Sequence, residues 1–116
     1  MTHEEIREKL SRVRCFLLDM DGTFYLGNKL IDGSLDFLEK LAATGRKSLF
    51  VTNNSSKSAD VYVKKLEKMG TREVFRNVLT SGHAAASYCR REFAGKKAFL
   101  LGNDMLKKEL IELGLE

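Results

Sequence analysis

Proline is missing from all 116 residues, where average usage of about 5% predicts five or six. With it go the proline-rich linker and the low-complexity tract, and no repeat of fixed period stands in their place. Long apolar runs are missing too. None approaches the roughly 20 residues a membrane-spanning helix needs, so no membrane partner is expected. Cysteine is scarce: Cys15 and Cys89 lie far apart, each in an otherwise apolar stretch. Such a pair makes neither a disulfide scaffold nor a metal site, and free buried thiols in a reduced compartment are the expectation. The opening Met1-Thr2-His3-Glu4-Glu5-Ile6-Arg7 carries charges of both signs and does not read as a secretory signal peptide. A cytoplasmic location is expected.

What remains is 43% apolar and 31% charged, enough for a hydrophobic core and at a length that favours one domain. Twenty Lys plus Arg against sixteen Asp plus Glu leave a net charge of +4, which serves solubility. The densest basic stretch, Lys57 to Arg72, has no interleaved exposed aromatics. Phe16, Phe37, Phe50, Tyr62 and Phe99 are expected on apolar faces instead, so a solvated helix face is expected there and no nucleic-acid partner.

Apolar runs and punctuation alternate along the chain. A helix is expected over about Glu4 to Arg12, then a buried strand at Cys15-Phe16-Leu17-Leu18. Leu35, Leu38, Leu41 and Ala42 make a helical stripe from near Asp32–Ser34 to Gly45. Ser48-Leu49-Phe50-Val51-Thr52 reads as a second buried strand. Ser58 is placed to cap a helix with Tyr62, Leu66 and Met69 on one face, stopped by Gly70. Val78-Leu79-Thr80 is too short to assign, and Ser81 is the expected cap of the helix carrying Ala84, Tyr88 and Cys89. Ala98-Phe99-Leu100-Leu101 reads as a third buried strand. Asn103 or Asp104 caps a last helix with Leu106, Leu110 and Leu113. Buried strands alternating with amphipathic helices imply an α/β fold with a parallel sheet covered on both faces. Ligands of such sheets bind just beyond the carboxyl ends of the strands.

Two segments at those ends carry chemistry. Asp19-Met20-Asp21-Gly22-Thr23 follows the first strand, and alternation along extended backbone sends Asp19 and Asp21 to one side. Neighbouring carboxylates repel, and magnesium suits them, because it takes one or two carboxylates and completes its shell with water and phosphate. Gly22 permits a sharp turn that presents N–H groups to an anion. An aspartate can also attack phosphorus directly. A turn with one Asp cap explains Gly22 and one carboxylate, but not the second. Thr52-Asn53-Asn54-Ser55-Ser56 follows the second strand, five small polar residues able to cradle a phosphate or simply to form a loop. Its pairing with Asp-x-Asp at a neighbouring strand end favours the phosphate.

Four apolar residues, then Asp-x-Asp-Gly-Thr, then a strand ending in Thr-Asn-Asn resemble the haloacid dehalogenase-like phosphatase superfamily. From average usage the five-residue signature arises on the order of once in a thousand chains of this length. Asp19 to Gly27 with Phe50 to Ser56 is similar to its nitrophenylphosphatase branch, and the similarity continues through Leu79-Thr80-Ser81-Gly82 and Leu101-Gly102. The resemblance implies a three-layer Rossmann-like core with a parallel sheet, here about its first three strands in the order third-second-first. It implies a magnesium-dependent hydrolase of a small phosphorylated metabolite. Asp19 is then the nucleophile and a metal ligand, and Asp21 the general acid and base whose backbone carbonyl also reaches the metal. Thr52, Asn53 and Asn54 bind phosphate, with Gly22 at the turn, and Phe24 to Lys29 form a flap.

The family's enzymes run to well over twice this length. Their charge-balancing lysine and later acidic motif lie beyond a cap domain that follows the third strand. Residues 1–116 thus read as the N-terminal half of such a core, ending near where the cap would start. Gly102-Asn103-Asp104 lacks the second acid of the later motif and reads as a helix cap. His83 reads as a first-turn helix residue, and neither Lys107 nor Lys108 fits the lysine's place. Two readings follow: an incomplete part of a phosphatase, or a naturally short, inactive module for binding or assembly. Without later strands beside it, the first strand is also an open apolar edge, so self-association is expected.

Overall fold

In the computed structural model, which describes residues 1–54 and 56–116, the first helix is set by a reciprocal cap. The Thr2 hydroxyl accepts the Glu5 N–H, and the Glu5 carboxylate accepts the Thr2 N–H, opening α1 (His3–Ser11). Strand β1 (Cys15–Leu18) leads into a tight turn and a small antiparallel hairpin, β2 (Tyr25–Leu26) with β3 (Lys29–Leu30). Helix α2 (Ser34–Ala43) returns the chain to β4 (Lys47–Thr52). Helix α3 (Ala59–Lys68) and a 3-10 turn (Glu73–Phe75) lead to β5 (Val78–Thr80), followed by α4 (Ser81–Glu92) and α5 (Asp104–Glu112).

Among the described residues the larger sheet is parallel, in the order β1-β4-β5. Leu18 lies beside Phe50, and Thr52 beside Thr80, so the three carboxyl ends share one edge. A helix joins each parallel pair, as the crossover requires. The core gathers just beneath that edge: Met20, Phe24, Tyr25, Leu38, Phe50, Tyr62, Leu66 and Phe75. Phe24 meets Phe50 edge-on with centroids 4.8 Å apart, which fastens the hairpin to the central strand.

The α/β class, the parallel sheet and the helix placements match the sequence reading, and three features differ from it. First, Ala98–Leu101 is not a strand, and Phe99 and Leu101 are 91% and 89% exposed. The Ala98 N–H donates to the Glu116 carbonyl at 2.7 Å. An apolar run becomes a buried strand only where a neighbouring edge and two covering layers receive it. The third strand is instead Val78–Thr80. Second, β1 is covered on one face only: Phe16 packs edge-on against Phe37 of α2 at 5.8 Å, while Leu17 is 66% exposed. Cys15 is accordingly exposed and Cys89 half-buried, so the expectation of buried thiols is corrected; both are free. Helix α1 buries none of its residues, so it leaves that face bare. Third, two caps differ: Thr80 rather than Ser81 caps α4, its hydroxyl accepting the His83 N–H, and the Ser58 side chain makes no capping hydrogen bond to α3.

The chain is also extended. Its radius of gyration is 16.9 Å, where a compact domain of this length has about 13 Å. No helix among the described residues is long and apolar enough to cross a membrane.

Candidate active site

The turn after β1 is held by backbone hydrogen bonds. The Met20 carbonyl accepts the N–H groups of Thr23 (3.1 Å) and Phe24 (2.9 Å), and the Gly22 N–H donates to the Tyr25 carbonyl at 2.8 Å. Gly22 has φ of 81°, a left-handed conformation that glycine adopts without a steric penalty. In this conformation Gly22 therefore supplies the turn, its N–H being engaged. The buried Met20 and Phe24 anchor the turn below, leaving Asp19 and Asp21 exposed above the sheet edge.

Asp19 faces an open depression of about 510 Å³ that it lines with Val51, Thr52, Asn53, Leu79, Thr80, Ser81 and Ala84. The three strands' carboxyl ends thus bring Asp19, Thr52 and Asn53 together. Asp21, Gly22 and Asn54 stand outside that lining. The Thr23 hydroxyl lies 3.5 Å from Asp19 Oδ2. After β4, the Thr52 hydroxyl accepts the Asn54 N–H at 3.1 Å, and Asn54 Oδ1 accepts the Ser56 N–H at 3.0 Å. These local turns are what the loop reading anticipates, and they shape the segment at the mouth of the depression. Ser55 lies outside the described residues.

Below the two aspartates sits a pair of buried tyrosines whose hydroxyls have no hydrogen-bond partner, Tyr25 and Tyr62. Burial, with the Asp21 carboxylate, Tyr62 and Asp19 adding to it, pushes the Tyr25 hydroxyl up to about 12 from its ordinary 10.0. The Lys65 ammonium stands 3.9 Å above the centre of the Tyr25 ring and ties α3 to the hairpin. The hairpin, Tyr25–Leu26 with Lys29–Leu30, overlaps the segment Phe24 to Lys29 in which a flap is expected.

His83 sits in the first turn of α4, as expected, with Nδ1 accepting the Thr80 N–H at 3.0 Å. Asn103 caps α5 by accepting the Leu106 N–H at 2.9 Å, the cap role expected of it or Asp104. The residue the sequence reading missed is Glu109. It stands at helical spacing from Leu106 and Leu113, on the apolar stripe of α5, and is only 6% exposed. A charged residue on such a stripe was the available signal. No group of three His, Cys, Asp or Glu residues able to hold a metal occurs among the described residues.

A parallel α/β sheet with a carboxylate and a small polar segment at adjacent carboxyl ends has its polar groups where Rossmann-like sheets receive ligands. Comparison with known proteins makes this specific. Residues 16–116 match the haloacid dehalogenase-like hydrolase family, and the chain belongs to that family. The acid sugar phosphatase of Staphylococcus aureus is 35% identical over 106 residues, 91% of this chain and 41% of that protein. The crystal structure of 4-nitrophenylphosphatase from Thermotoga maritima superposes with a TM-score of 0.87 at 43% identity, over 92% of this chain and 41% of that one. The glycerol phosphate phosphatase of Mycobacterium tuberculosis, solved in complex with magnesium, gives a TM-score of 0.76 at 31% identity, over 90% of this chain and 32% of that one. The chain thus spans about two-fifths of the length of the curated relatives it matches.

Proposed function

We propose that the whole protein to which these residues belong is a magnesium-dependent phosphomonoester hydrolase acting on a small phosphorylated metabolite. The observation that carries this reading is Asp19 lining one depression with Thr52 and Asn53, at the carboxyl ends of β1, β4 and β5. The relatives named as sugar, nitrophenyl and glycerol phosphate phosphatases support the substrate class.

Two exposed carboxylates two residues apart fit magnesium, which needs no more than one or two and fills its shell with water and substrate oxygens. Asp19 and the Asp21 carbonyl would hold it, and when bound it neutralises charge on the phosphoryl oxygens. Asp19 Oδ attacks phosphorus in line, and the bond to the leaving oxygen breaks as Asp21 gives that oxygen a proton. Asp21 then takes a proton from the water that attacks the aspartyl-phosphate, releasing phosphate and restoring Asp19. Thr52, Asn53 and Asn54 orient the phosphoryl group, while the turn at Gly22 sets the spacing of the two aspartates. Splitting one displacement into two is the gain from covalent attack, and positioning supplies much of the rest.

Residues 1–116 form the N-terminal part of that core in this reading. Among the described residues there is no third acid and no charge-balancing lysine at the site. Each such electrostatic group is worth on the order of 10²–10³-fold in rate, so the isolated unit is expected to be feeble. Hydrolysis of 4-nitrophenyl phosphate by the whole protein tests the function. Chelating magnesium is expected to stop it, and Asp21→Asn to slow it by about 10²–10⁴-fold. A rate indifferent to both overturns the reading.

A further inference from the structure

We propose that Glu109 is a positioning residue that ties the segment after Thr52-Asn53-Asn54 to the end of β5, and so sets the shape of the candidate phosphate cradle. This deepens the function proposed above and rests on its phosphate reading.

Helix α3 has Ser58 at its N-cap position, yet that side chain makes no capping hydrogen bond. The cap comes from across the fold: Glu109 Oε1, on α5, accepts the Ala59 N–H at 2.8 Å. The other oxygen, Oε2, accepts the Thr80 hydroxyl at 3.3 Å. One buried carboxylate thereby joins α5, the start of α3 and the carboxyl end of β5. A second strap runs from Asn103 Nδ2, at the N-cap of the same helix, to the Ser56 carbonyl at 3.0 Å.

The arrangement explains a glycine. A Cβ at Gly82 would lie 2.5 Å from Glu109 Oε2, closer than packed atoms tolerate, so a side chain there would push the carboxylate off its present position. Thr80 is itself committed, its hydroxyl accepting the His83 N–H at 3.1 Å while it donates to Glu109. One group thus holds Thr80, which lines the depression, and Ala59, the first residue of α3, five residues after Asn54. A charged acceptor is used because its hydrogen bonds are about twice as strong as those of a neutral one. Its burial is tolerated because both oxygens are occupied.

The test uses the whole protein to which these residues belong, with inorganic phosphate and magnesium chloride as the probe. Amide exchange and phosphate-induced shifts at Asn53 and Asn54 are followed by NMR. Glu109→Ala is expected to speed exchange at Ala59 and to weaken phosphate binding, each by about tenfold or more. Protection at Phe16 and Leu49 in the sheet stays unchanged. Glu109→Gln, which keeps an acceptor for Ala59, restores most of both. Gly82→Ala, which displaces the carboxylate without altering it, reproduces the Ala effect. Unchanged phosphate affinity in Glu109→Ala, or a loss of all protection that Gln does not rescue, overturns the positioning role. A wild-type chain whose Asn53 and Asn54 amides ignore phosphate overturns the phosphate reading itself. That failure is distinguishable because it appears before any substitution.

Discussion

Removing the Phe50 ring is expected to uncouple the candidate site from its sheet. Phe50 is fully buried, stands two residues before Thr52, and meets Phe24 edge-on at 4.8 Å. Phe24 in turn belongs to the turn that carries Asp19 and Asp21. Truncating a buried Phe to Ala typically costs about 3–5 kcal/mol, which includes the lost aromatic pair. A folded chain of 116 residues has roughly 6–17 kcal/mol in all. The bare faces of β1 and the exposed Phe99 and Leu101 place this one near the lower bound. Phe50→Ala is therefore expected to keep only about 1–3 kcal/mol of stability and to unfold at much lower urea than the wild type. Phe50→Leu, which nearly conserves volume, should lose about 1–2 kcal/mol and stay folded. Urea denaturation followed by far-ultraviolet circular dichroism reads both, with an unchanged slope showing that stability rather than compactness has shifted. If Phe50→Ala lowers the unfolding free energy by less than about 1 kcal/mol, the ring is not the fastening between hairpin and sheet, and the argument fails.

Two further outcomes are expected. Strand β1 has β4 on one side and no partner on the other among the described residues, and its Leu17 points outward. The isolated chain should therefore self-associate, and Leu17→Lys should oppose this by blunting the edge; light scattering that shows a monomer at every concentration contradicts it. Tyr25 keeps its proton to about pH 12 when folded but only to about pH 10 when unfolded, so its contribution is complete below pH 10 and is lost as pH rises toward 12. A shift of that size corresponds to about 3 kcal/mol. Urea unfolding at pH 9 and 11 should show a steeper loss in wild type than in Tyr25→Phe, and equal losses refute the argument.

Local chemistry made much of this molecule legible. The stripe Leu35, Leu38, Leu41 with its stop at Gly45 marked α2, and the apolar runs at Cys15 and Ser48 marked two adjacent parallel strands. The placement of Asp19 and Thr52 at one sheet edge was readable because each follows or ends an apolar strand. Ala98–Leu101 shows where that reasoning stops. Its composition is as strand-like as that of Cys15–Leu18, yet pairing depends on an edge and covering layers that no local pattern encodes. The same holds for Val78–Thr80, three residues that become a strand only because β4 offers an edge. The cap of α3 is a third case: Ser58 occupies the expected position, while Glu109, far along the chain, makes the bond. Tertiary partners, rather than propensity, decided each of these.

The central claim is that Asp19 becomes covalently phosphorylated during turnover. The direct test exposes the whole protein to a phosphomonoester labelled at phosphorus, with magnesium present, and quenches it in acid within one turnover. The account predicts acid-stable label on the peptide containing Asp19, its disappearance under mild base or hydroxylamine, and neither label nor turnover in Asp19→Asn. Turnover near the wild-type rate in Asp19→Asn, or label on another residue, would contradict it.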